Sequence, residues 1–309
     1  MEKKYKHLVK PLIIRPGPEG MYSEKRFWMD SKDLEGFNMV FSYGFVKEPC
    51  VCHPTTGDMV VHPFDEVLIF APCDASGDIL DLGAEISIEL GEEDEEHVFF
   101  EPSAVVIPRG LPHGPVKVRR LEKPIVHYLV GLGPEYKCEH VAKKAVKATA
   151  GLKYARLIKR FRMARGCMSK KLAPPAAARP IVGGPGNADQ IVWFYGDNLE
   201  NISLNVSWGF YSRPGIWHRI GRGGAHVHPV DEALIFVGLD PENLNYLGAE
   251  IEFALGDEGE RHLVRVPAAV LAPRNLVHCP EITRWVDKPY GFIVCCLDAE
   301  HETTWLPAE

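Results

Sequence analysis

The feature of this chain that most constrains its fold is an internal repeat. Four sequence blocks occur twice, in the same order and at a nearly constant offset of 165 or 166 residues. A repeat that preserves order and spacing indicates one domain copied within the chain. The matching blocks are YGFVKEP (43–49) with WGFYSRP (208–214), HPFDEVLIF (62–70) with HPVDEALIF (228–236), LGAEISIELGEE (82–93) with LGAEIEFALGDE (247–258), and VIPRGLPH (106–113) with LAPRNLVH (271–278).

Each copy has the sequence pattern of antiparallel β-structure. Short runs rich in Val, Ile, Leu and Phe alternate with polar residues and end at Gly, Pro or Asp, as in AEIEFALGD at 249–257. Such runs with closely spaced turn signals favour a jelly roll over any α/β fold. We therefore predict an all-β fold of two jelly-roll (double-stranded β-helix) barrels, one at 1–136 and one at 176–309.

The segment between the copies differs from both of them. Residues 137–175 contain twelve Lys and Arg and a single acidic residue, whereas the whole chain has a net charge of −7. Its apolar side chains recur at helical spacing (Tyr154, Leu157, Ile158 and Phe161), which predicts a short, basic, partly helical linker. The charge favours docking within the molecule or on a neighbouring subunit. No nucleic-acid-reading motif accompanies it, so we expect no nucleic-acid partner.

The second copy carries four residues at the spacing of a metal site. His226 and His228 are two residues apart, so on a strand both side chains point to the same face. Glu232 follows within reach, and His278 comes after a proline-containing turn in a later block. Three imidazoles and a carboxylate suit one divalent transition metal (Mn, Fe, Ni, Co or Zn) and leave open coordination positions. Burying these groups without a metal would be costly, which weighs against a purely structural role.

These blocks resemble the two motifs of the cupin superfamily, G-x(5)-H-x-H-x(3,4)-E-x(6)-G and G-x(5)-P-x-G-x(2)-H. The departures concern turns rather than ligands: Gly221 is one residue short of its usual spacing, Gly238 is one residue early, and Asn275 replaces a glycine. The resemblance covers both copies and implies a bicupin, an internally duplicated cupin, whose intact metal site lies in the C-terminal barrel. The matched positions are His226, His228, Glu232 and Gly238 in the first motif, and Pro273 and His278 in the second.

The first copy retains only part of this pattern. Val60 stands where the second copy has its first histidine, while His62, Glu66 and His113 keep the other three positions. Two histidines and a carboxylate can form a facial triad. The alternative is a vestigial site whose polar residues bond one another or water. His53 and its counterpart His218 recur upstream, and their presence in the incomplete copy predicts a packing role.

Three further residues are candidates for catalysis. Arg222, in the loop before the first motif, and Arg274, in the turn before the last histidine, could bind a carboxylate-bearing substrate. Glu250, in the repeated LGAE block, could act as a general acid or base if burial raises its pKa. Paired surface arginines and a solvated strand carboxylate are the alternatives.

A metal-dependent enzyme acting on a small oxygen-rich or carboxylated molecule fits these residues. Lewis-acid chemistry of the lyase, isomerase, decarboxylase or hydrolase type would take place in the C-terminal barrel. One alternative is an Fe(II)-dependent dioxygenase that cleaves a ring or a C–C bond, and another is a non-enzymatic, ligand-binding or regulatory cupin. The fold resemblance cannot separate these functions.

The remaining sequence features constrain partners and location. No apolar run approaches the length of a membrane span, and the basic start is interrupted by proline too early for a signal peptide. We therefore expect a cytoplasmic protein with a small-molecule substrate and no membrane partner. Cupin barrels often pair through edge strands, so a monomer and a homodimer are both compatible with the sequence.

Overall fold

The structure, a computed structural model, describes residues 3–141, 153–172 and 186–307. The chain divides into two compact units. The second-barrel unit comprises the residues up to Leu12, Asp74–Ile79 and the chain from Arg162 onward; the first-barrel unit comprises Ile13–Cys73 and Leu80–Phe161. Both units are built from strands, as the sequence predicted. No helix in the described ranges has the length and apolarity that a membrane crossing requires.

The first-barrel unit consists of two facing antiparallel sheets. One has the strand order β14-β10-β7-β12-β4-β3-β2, and the other has the order β13-β6-β11-β8-β9, with β5 also paired to β11. The strands are β2 (Ile14–Arg15), β3 (Arg26–Met29), β4 (Val40–Val46), β5 (Cys50–Cys52), β6 (Met59–Val61), β7 (Glu66–Pro72), β8 (Ala84–Leu90), β9 (Glu95–Phe99), β10 (Ser103–Ile107), β11 (His113–Leu121), β12 (Ile125–Gly131), β13 (Glu139–Val141) and β14 (Ile158–Arg160).

The second-barrel unit repeats this arrangement strand for strand. Its sheets have the orders β1-β23-β20-β25-β17-β16-β15 and β22-β21-β24-β19-β26, with β18 paired to β24. The strands are β1 (Val9–Pro11), β15 (Gly166–Met168), β16 (Gln190–Phe194), β17 (Asn205–Tyr211), β18 (Gly215–Ile216), β19 (His226–Val227), β20 (Glu232–Gly238), β21 (Ala249–Leu255), β22 (Glu260–Val264), β23 (Ala268–Ala272), β24 (His278–Val286), β25 (Tyr290–Cys296) and β26 (Thr304–Trp305). Three-residue 3-10 helices lie at Lys6–Leu8, Ala155–Leu157, Phe161–Met163 and Gly196–Asn198.

The expected linker helix is replaced by short turns and strands in the described residues. Tyr154 to Phe161 forms one 3-10 turn followed by strand β14, which pairs with β10, and a second 3-10 turn begins at Phe161. The helical spacing of the apolar residues arises because Leu157, in the turn, and Phe161, after the strand, are both buried. The described part of the chain contains no α-helix; residues 142–152 and 173–175 of the linker lie outside it.

The start of the chain forms the edge of the second barrel. Strand β1 pairs with β23, and the main-chain N–H of Tyr5 donates to Glu260 at 2.9 Å. The first barrel is edged in the same way by β14, where the N–H of Tyr154 donates to Glu95 at 2.9 Å. These two edge segments have similar sequences, KYKHLVK at 4–10 and KYARLIK at 153–159. Their offset is 149 residues, so they are not aligned by the offset of 165 that relates the rest of the two copies. Each edge segment therefore belongs to the fold of a barrel.

The packing of this edge segment predicts a stability effect. Leu157 is 1% exposed, so Leu157→Ala should lower the free energy of unfolding by about 2–4 kcal/mol through lost burial and a residual cavity. Met163 is 60% exposed, and Met163→Ala should change the free energy by less than about 0.5 kcal/mol. Urea denaturation followed by fluorescence compares the two variants. Equal effects would show that the segment is not packed on the barrel.

Candidate metal centre

The sheet register brings the four ligand candidates of the second copy together. His226 opens β19 and lies opposite His278, which opens β24. His228 follows β19, and Glu232 is the first residue of β20. One ligand atom from each of the four side chains lies within 4.8 Å of all the others. The residues are between 1% and 3% exposed, so the cluster is inside the barrel.

The orientation of each imidazole in this cluster is fixed by the main chain. Because a carbonyl oxygen can only accept a hydrogen bond, each Nδ1 must carry a proton, and in a neutral ring each Nε2 presents its lone pair to the cluster. The Nδ1 atoms donate to Gly224 O from His226 (2.5 Å), to Glu302 O from His228 (2.7 Å) and to Leu276 O from His278 (3.1 Å).

The inward-facing Nε2 and carboxylate oxygen atoms lie at hydrogen-bond distance from one another. Two unprotonated acceptors this close repel each other, and a bound cation would remove the repulsion. The Nε2 atoms of His226 and His228 are 3.1 Å apart, and Glu232 Oε2 is 3.1 Å from the Nε2 of His278. Both Glu232 Oε2 and His278 Nε2 are buried without a hydrogen-bond partner among the described residues. These orphaned acceptors fit a divalent metal ion, whose charge would satisfy all of them at once.

The electrostatics of the cluster agree with this arrangement. Burial opposes ionisation of Glu232, but the neighbouring His228, His278 and His301 hold the pKa of this carboxyl well below its usual range. Burial, together with the adjacent His278, lowers the pKa of His226 to about 2. A carboxylate beside a neutral imidazole is the protonation state that metal ligation requires.

His301 is a further member of the site that the motifs did not indicate. Its Nε2 donates to Glu232 Oε1 at 3.1 Å, on the oxygen that does not face the other ligands. It lies after β25, beyond both motifs, and no spacing rule connects it with them. It orients the carboxylate.

A second residue missed by the sequence motifs is Glu281. It follows His278 by three residues on the same strand, is 1% exposed, and its Oε2 has no hydrogen-bond partner among the described residues. Burial, with a contribution from the charge on Glu232, raises the pKa of the Glu281 carboxyl well above its usual range. Both effects favour the protonated, uncharged form of this side chain.

Glu281 belongs to a set of buried polar side chains that the first barrel lacks. Asn187 donates to Thr283 Oγ1 at 2.9 Å, and this hydroxyl lies 2.6 Å from that of Tyr290. The hydroxyl of Tyr211 and Oδ1 of Asn187 are buried without a partner within the described ranges. At the equivalent repeat positions, offset by 165, polar residues of the second barrel are replaced by aliphatic ones: Tyr211 by Val46, Glu281 by Val116, Thr283 by Val118 and Tyr290 by Ile125.

The first barrel also gathers its histidines around a glutamate. His62 Nε2 lies 3.0 Å from Glu66 Oε2, and His113 Nε2 lies 3.5 Å from the same oxygen. His53, for which the sequence predicted only packing, joins them with its Nε2 at 3.1 Å from this oxygen. Val60 pairs with His113 in the sheet as His226 pairs with His278, so the strand geometry is retained without the ligand.

The structure does not bring the three catalytic candidates to the metal cluster. Glu250 lies on β21 and bonds to Arg265 at 2.5 Å, where both side chains are partly exposed. Arg274 is exposed and lies 3.5 Å from Asp231, and Arg222 is also exposed. A catalytic role for these three residues stays a prediction, and Glu281 is better placed.

Comparison with known proteins places the fold. No protein-family model matches this chain, and no curated protein matches it. Solved structures do: Bacillus subtilis oxalate decarboxylase OxdC at pH 4.6 has 12% identity and a TM-score of 0.55, over 96% of this chain and 76% of that one. A mutant of the same enzyme gives 11% identity and a TM-score of 0.56, over 96% of this chain and 77% of that one. Another oxalate decarboxylase structure, on substrate binding, has 14% identity, the same TM-score and the same coverage.

The chain has the bicupin fold. At these identities the likeness shows the architecture, and the function must be argued from the site. The all-β barrels and the duplication predicted from sequence are confirmed, and the buried His/Glu clusters support a metal-binding bicupin.

The neutral state of Glu281 predicts a pH-dependent stability difference in the metal-free protein. Its folded-state pKa is raised above the usual 4.5, so the ionisation of this group does not affect stability below that value and lowers stability as pH rises toward the folded pKa. Over that window, wild type should lose about 1.4 kcal/mol per pH unit relative to Glu281→Gln, which cannot ionise. Thermal or urea unfolding across pH measures the difference; a pH-independent difference would contradict a neutral Glu281.

Proposed function

We propose that this bicupin is a metal-dependent enzyme of the lyase type that acts on a small carboxylated molecule inside the second barrel. The observation that carries the proposal is the buried acid Glu281, which lies on the same strand as His278 and has an unbonded oxygen. A barrel kept only for structure would gain nothing from a buried, unpaired carboxyl group, whose burial costs about 1–3 kcal/mol. The first barrel has valine at this position.

The metal would be held by His226, His228, Glu232 and His278. When bound, it supplies a Lewis acid that draws electrons from substrate oxygens. The protein orients the ligands. The carbonyl oxygens of Gly224, Glu302 and Leu276 accept from the imidazoles, and His301 donates to the carboxylate of Glu232. These constraints hold the ligands in one geometry before substrate arrives.

The buried polar side chains next to the cluster define what substrate would fit. Tyr211 has a hydroxyl free to donate, and Asn187 offers an amide oxygen. Such groups suit the oxygens and hydroxyls of a small polar molecule, and their desolvated position excludes water from it.

Glu281 would supply the proton in a decarboxylation. Cleavage of the bond to a substrate carboxylate releases CO₂ and leaves the bonding electron pair on carbon, delocalised into a neighbouring carbonyl. The Glu281 carboxyl transfers its proton to that carbon, and the resulting carboxylate is reprotonated from solvent. The reaction is redox-neutral and needs a carbonyl beside the carbon that loses CO₂; the solved neighbours named oxalate decarboxylase take, by name, a small dicarboxylate, which supports a small carboxylated substrate in general.

The metal site is tested by elemental analysis of protein purified without a histidine tag. His226→Ala should lose one metal ion per chain relative to wild type, because its Nε2 is a ligand. His262→Ala, a buried histidine of the same barrel that bonds to Glu260, should retain the wild-type content. Unchanged metal in His226→Ala would refute the site. Iron together with substrate-dependent oxygen uptake would favour the dioxygenase alternative, which the same ligand set permits.

The role of Glu281 is tested by Glu281→Gln, which keeps the volume and removes the proton. Screening small mono- and dicarboxylates for CO₂ release identifies a substrate, and on it the variant should lose about 10²-fold or more in kcat with its metal content unchanged. Glu252→Gln is the matched control, since this carboxylate pairs with Arg284 away from the cluster. A kcat within about twofold of wild type would remove Glu281 from the mechanism.

A further inference from the structure

The first barrel contains a set of hydrogen bonds that determines the protonation of His53. His127 donates from Nδ1 to the carbonyl oxygen of Ile69 at 3.1 Å. Burial, reinforced by the charge of Arg26, lowers the pKa of His127 well below its usual value, so this imidazole is neutral and its Nε2 is an acceptor. The hydroxyl of Tyr22, 3.0 Å away, must therefore donate to it.

The same hydroxyl then fixes the tautomer of His53. Having used its only proton on His127, the Tyr22 oxygen accepts from His53 Nδ1 at 2.9 Å. With the proton on Nδ1, the Nε2 of His53 presents a lone pair. That lone pair points at Glu66 Oε2, 3.1 Å away.

The two remaining imidazoles are oriented by main-chain carbonyls. His62 donates from Nδ1 to the Phe64 oxygen at 2.8 Å, and His113 donates from Nδ1 to the Leu111 oxygen at 3.0 Å. The Nε2 atoms of both imidazoles consequently face the same oxygen of Glu66 and, in the neutral rings, carry the lone pairs. His53, Glu66 and His113 each place one ligand atom within 4.8 Å of the other two, and the Nε2 of His62 lies 3.0 Å from Glu66 Oε2. Each of these four residues is 2% exposed or less.

A single proton cannot satisfy all three contacts between these imidazoles and Glu66. A proton on one Nε2 makes one hydrogen bond to Glu66 Oε2, and the other two Nε2 atoms still face this oxygen as acceptors. We propose that the first barrel binds its own divalent metal ion through His53, His62, Glu66 and His113, with His53 replacing the strand histidine lost at Val60. This second site goes beyond the function proposed for the second barrel and does not depend on it. Four ligands of this type are a complete set for zinc and other late divalent metals.

The backbone of the first barrel is adapted to bring His53 into the cluster. His53 adopts a left-handed conformation with φ of 48°, which is costly for a residue with a side chain and is kept where the surroundings require it. A Cβ at Gly114, the residue after His113, would collide with the carbonyl oxygen of His53. The second copy has Cys279 at the position of Gly114. That copy retains His226, the strand histidine that the first copy has replaced by Val60.

The surroundings of this site indicate a structural rather than a catalytic metal. The polar interior positions of the second barrel are Val46, Val116, Val118 and Ile125 here, so a polar substrate would find no partners among them. The ring of Tyr136 covers the cluster, with its hydroxyl 3.4 Å from His53 Nε2. A four-ligand site covered by an aromatic ring and flanked by aliphatic side chains fits a metal that stabilises a fold.

The decisive experiment counts metal ions in protein stripped with a chelator and reloaded with Zn²⁺ or Mn²⁺ alone. Wild type should bind about two ions per chain; His53→Ala and Glu66→Gln should each bind about one, as should His226→Ala, and the double variant His53→Ala/His226→Ala about none. His97→Ala is the matched control, because His97 is a buried histidine of the same barrel that bonds to Glu95. It should retain both ions.

A rescue variant separates loss of a ligand from loss of the fold. Adding Val60→His to His53→Ala restores a strand histidine, and this double variant should recover the second ion and the melting temperature that His53→Ala loses. His53→Ala should leave turnover in the second barrel unchanged. One ion per chain in wild type, removed completely by His226→Ala, would overturn the first-barrel site while leaving the proposed function intact. An unchanged count in a folded His53→Ala would exclude His53 as a ligand.

Discussion

The organisation of both barrels depends on one physical constraint: imidazoles whose outer nitrogens are tied to main-chain carbonyls must direct their lone pairs inward. In the second barrel this applies to His226, His228 and His278. A carboxylate at the centre makes the arrangement unstable unless a cation joins it. The jelly roll provides the scaffold, because opposed strands deliver these side chains to one point from residues distant in sequence. The ligands are thus set by backbone geometry as much as by residue identity.

Duplication allowed the two barrels to diverge around this common scaffold. The second barrel keeps the strand histidine and adds buried polar groups, including Glu281 and Tyr211. The first barrel lost the strand histidine, became aliphatic at the corresponding interior positions, and brought in His53. Under the two proposals, the same fold supports a reactive interior in one copy and a metal-stabilised cluster in the other. These different roles would account for the retention of the first barrel although its metal motif is incomplete.

The sequence predicted those features that depend on local spacing. The repeat, the strands and the set His226, His228, Glu232 and His278 follow from period-two alternation and motif distances, and the structure brings these four residues together. Residues that reach the site through tertiary structure could not be found in this way. His53 enters through a strained backbone after β5, and Glu281 is recognisable only when the two copies are compared at the level of burial. The expected linker helix was wrong for the described residues because a turn followed by an edge strand buries side chains at nearly helical spacing.

The most direct test of this account is an anomalous difference map from crystals of the metal-loaded protein, measured at the absorption edge of the bound element. The account predicts a peak about 2.0–2.3 Å from the Nε2 atoms of His226, His228 and His278 and from a Glu232 oxygen, with each Nδ1 still bonded to its carbonyl. A map without a peak there, in which the imidazoles have turned to donate hydrogen bonds to Glu232, would contradict it.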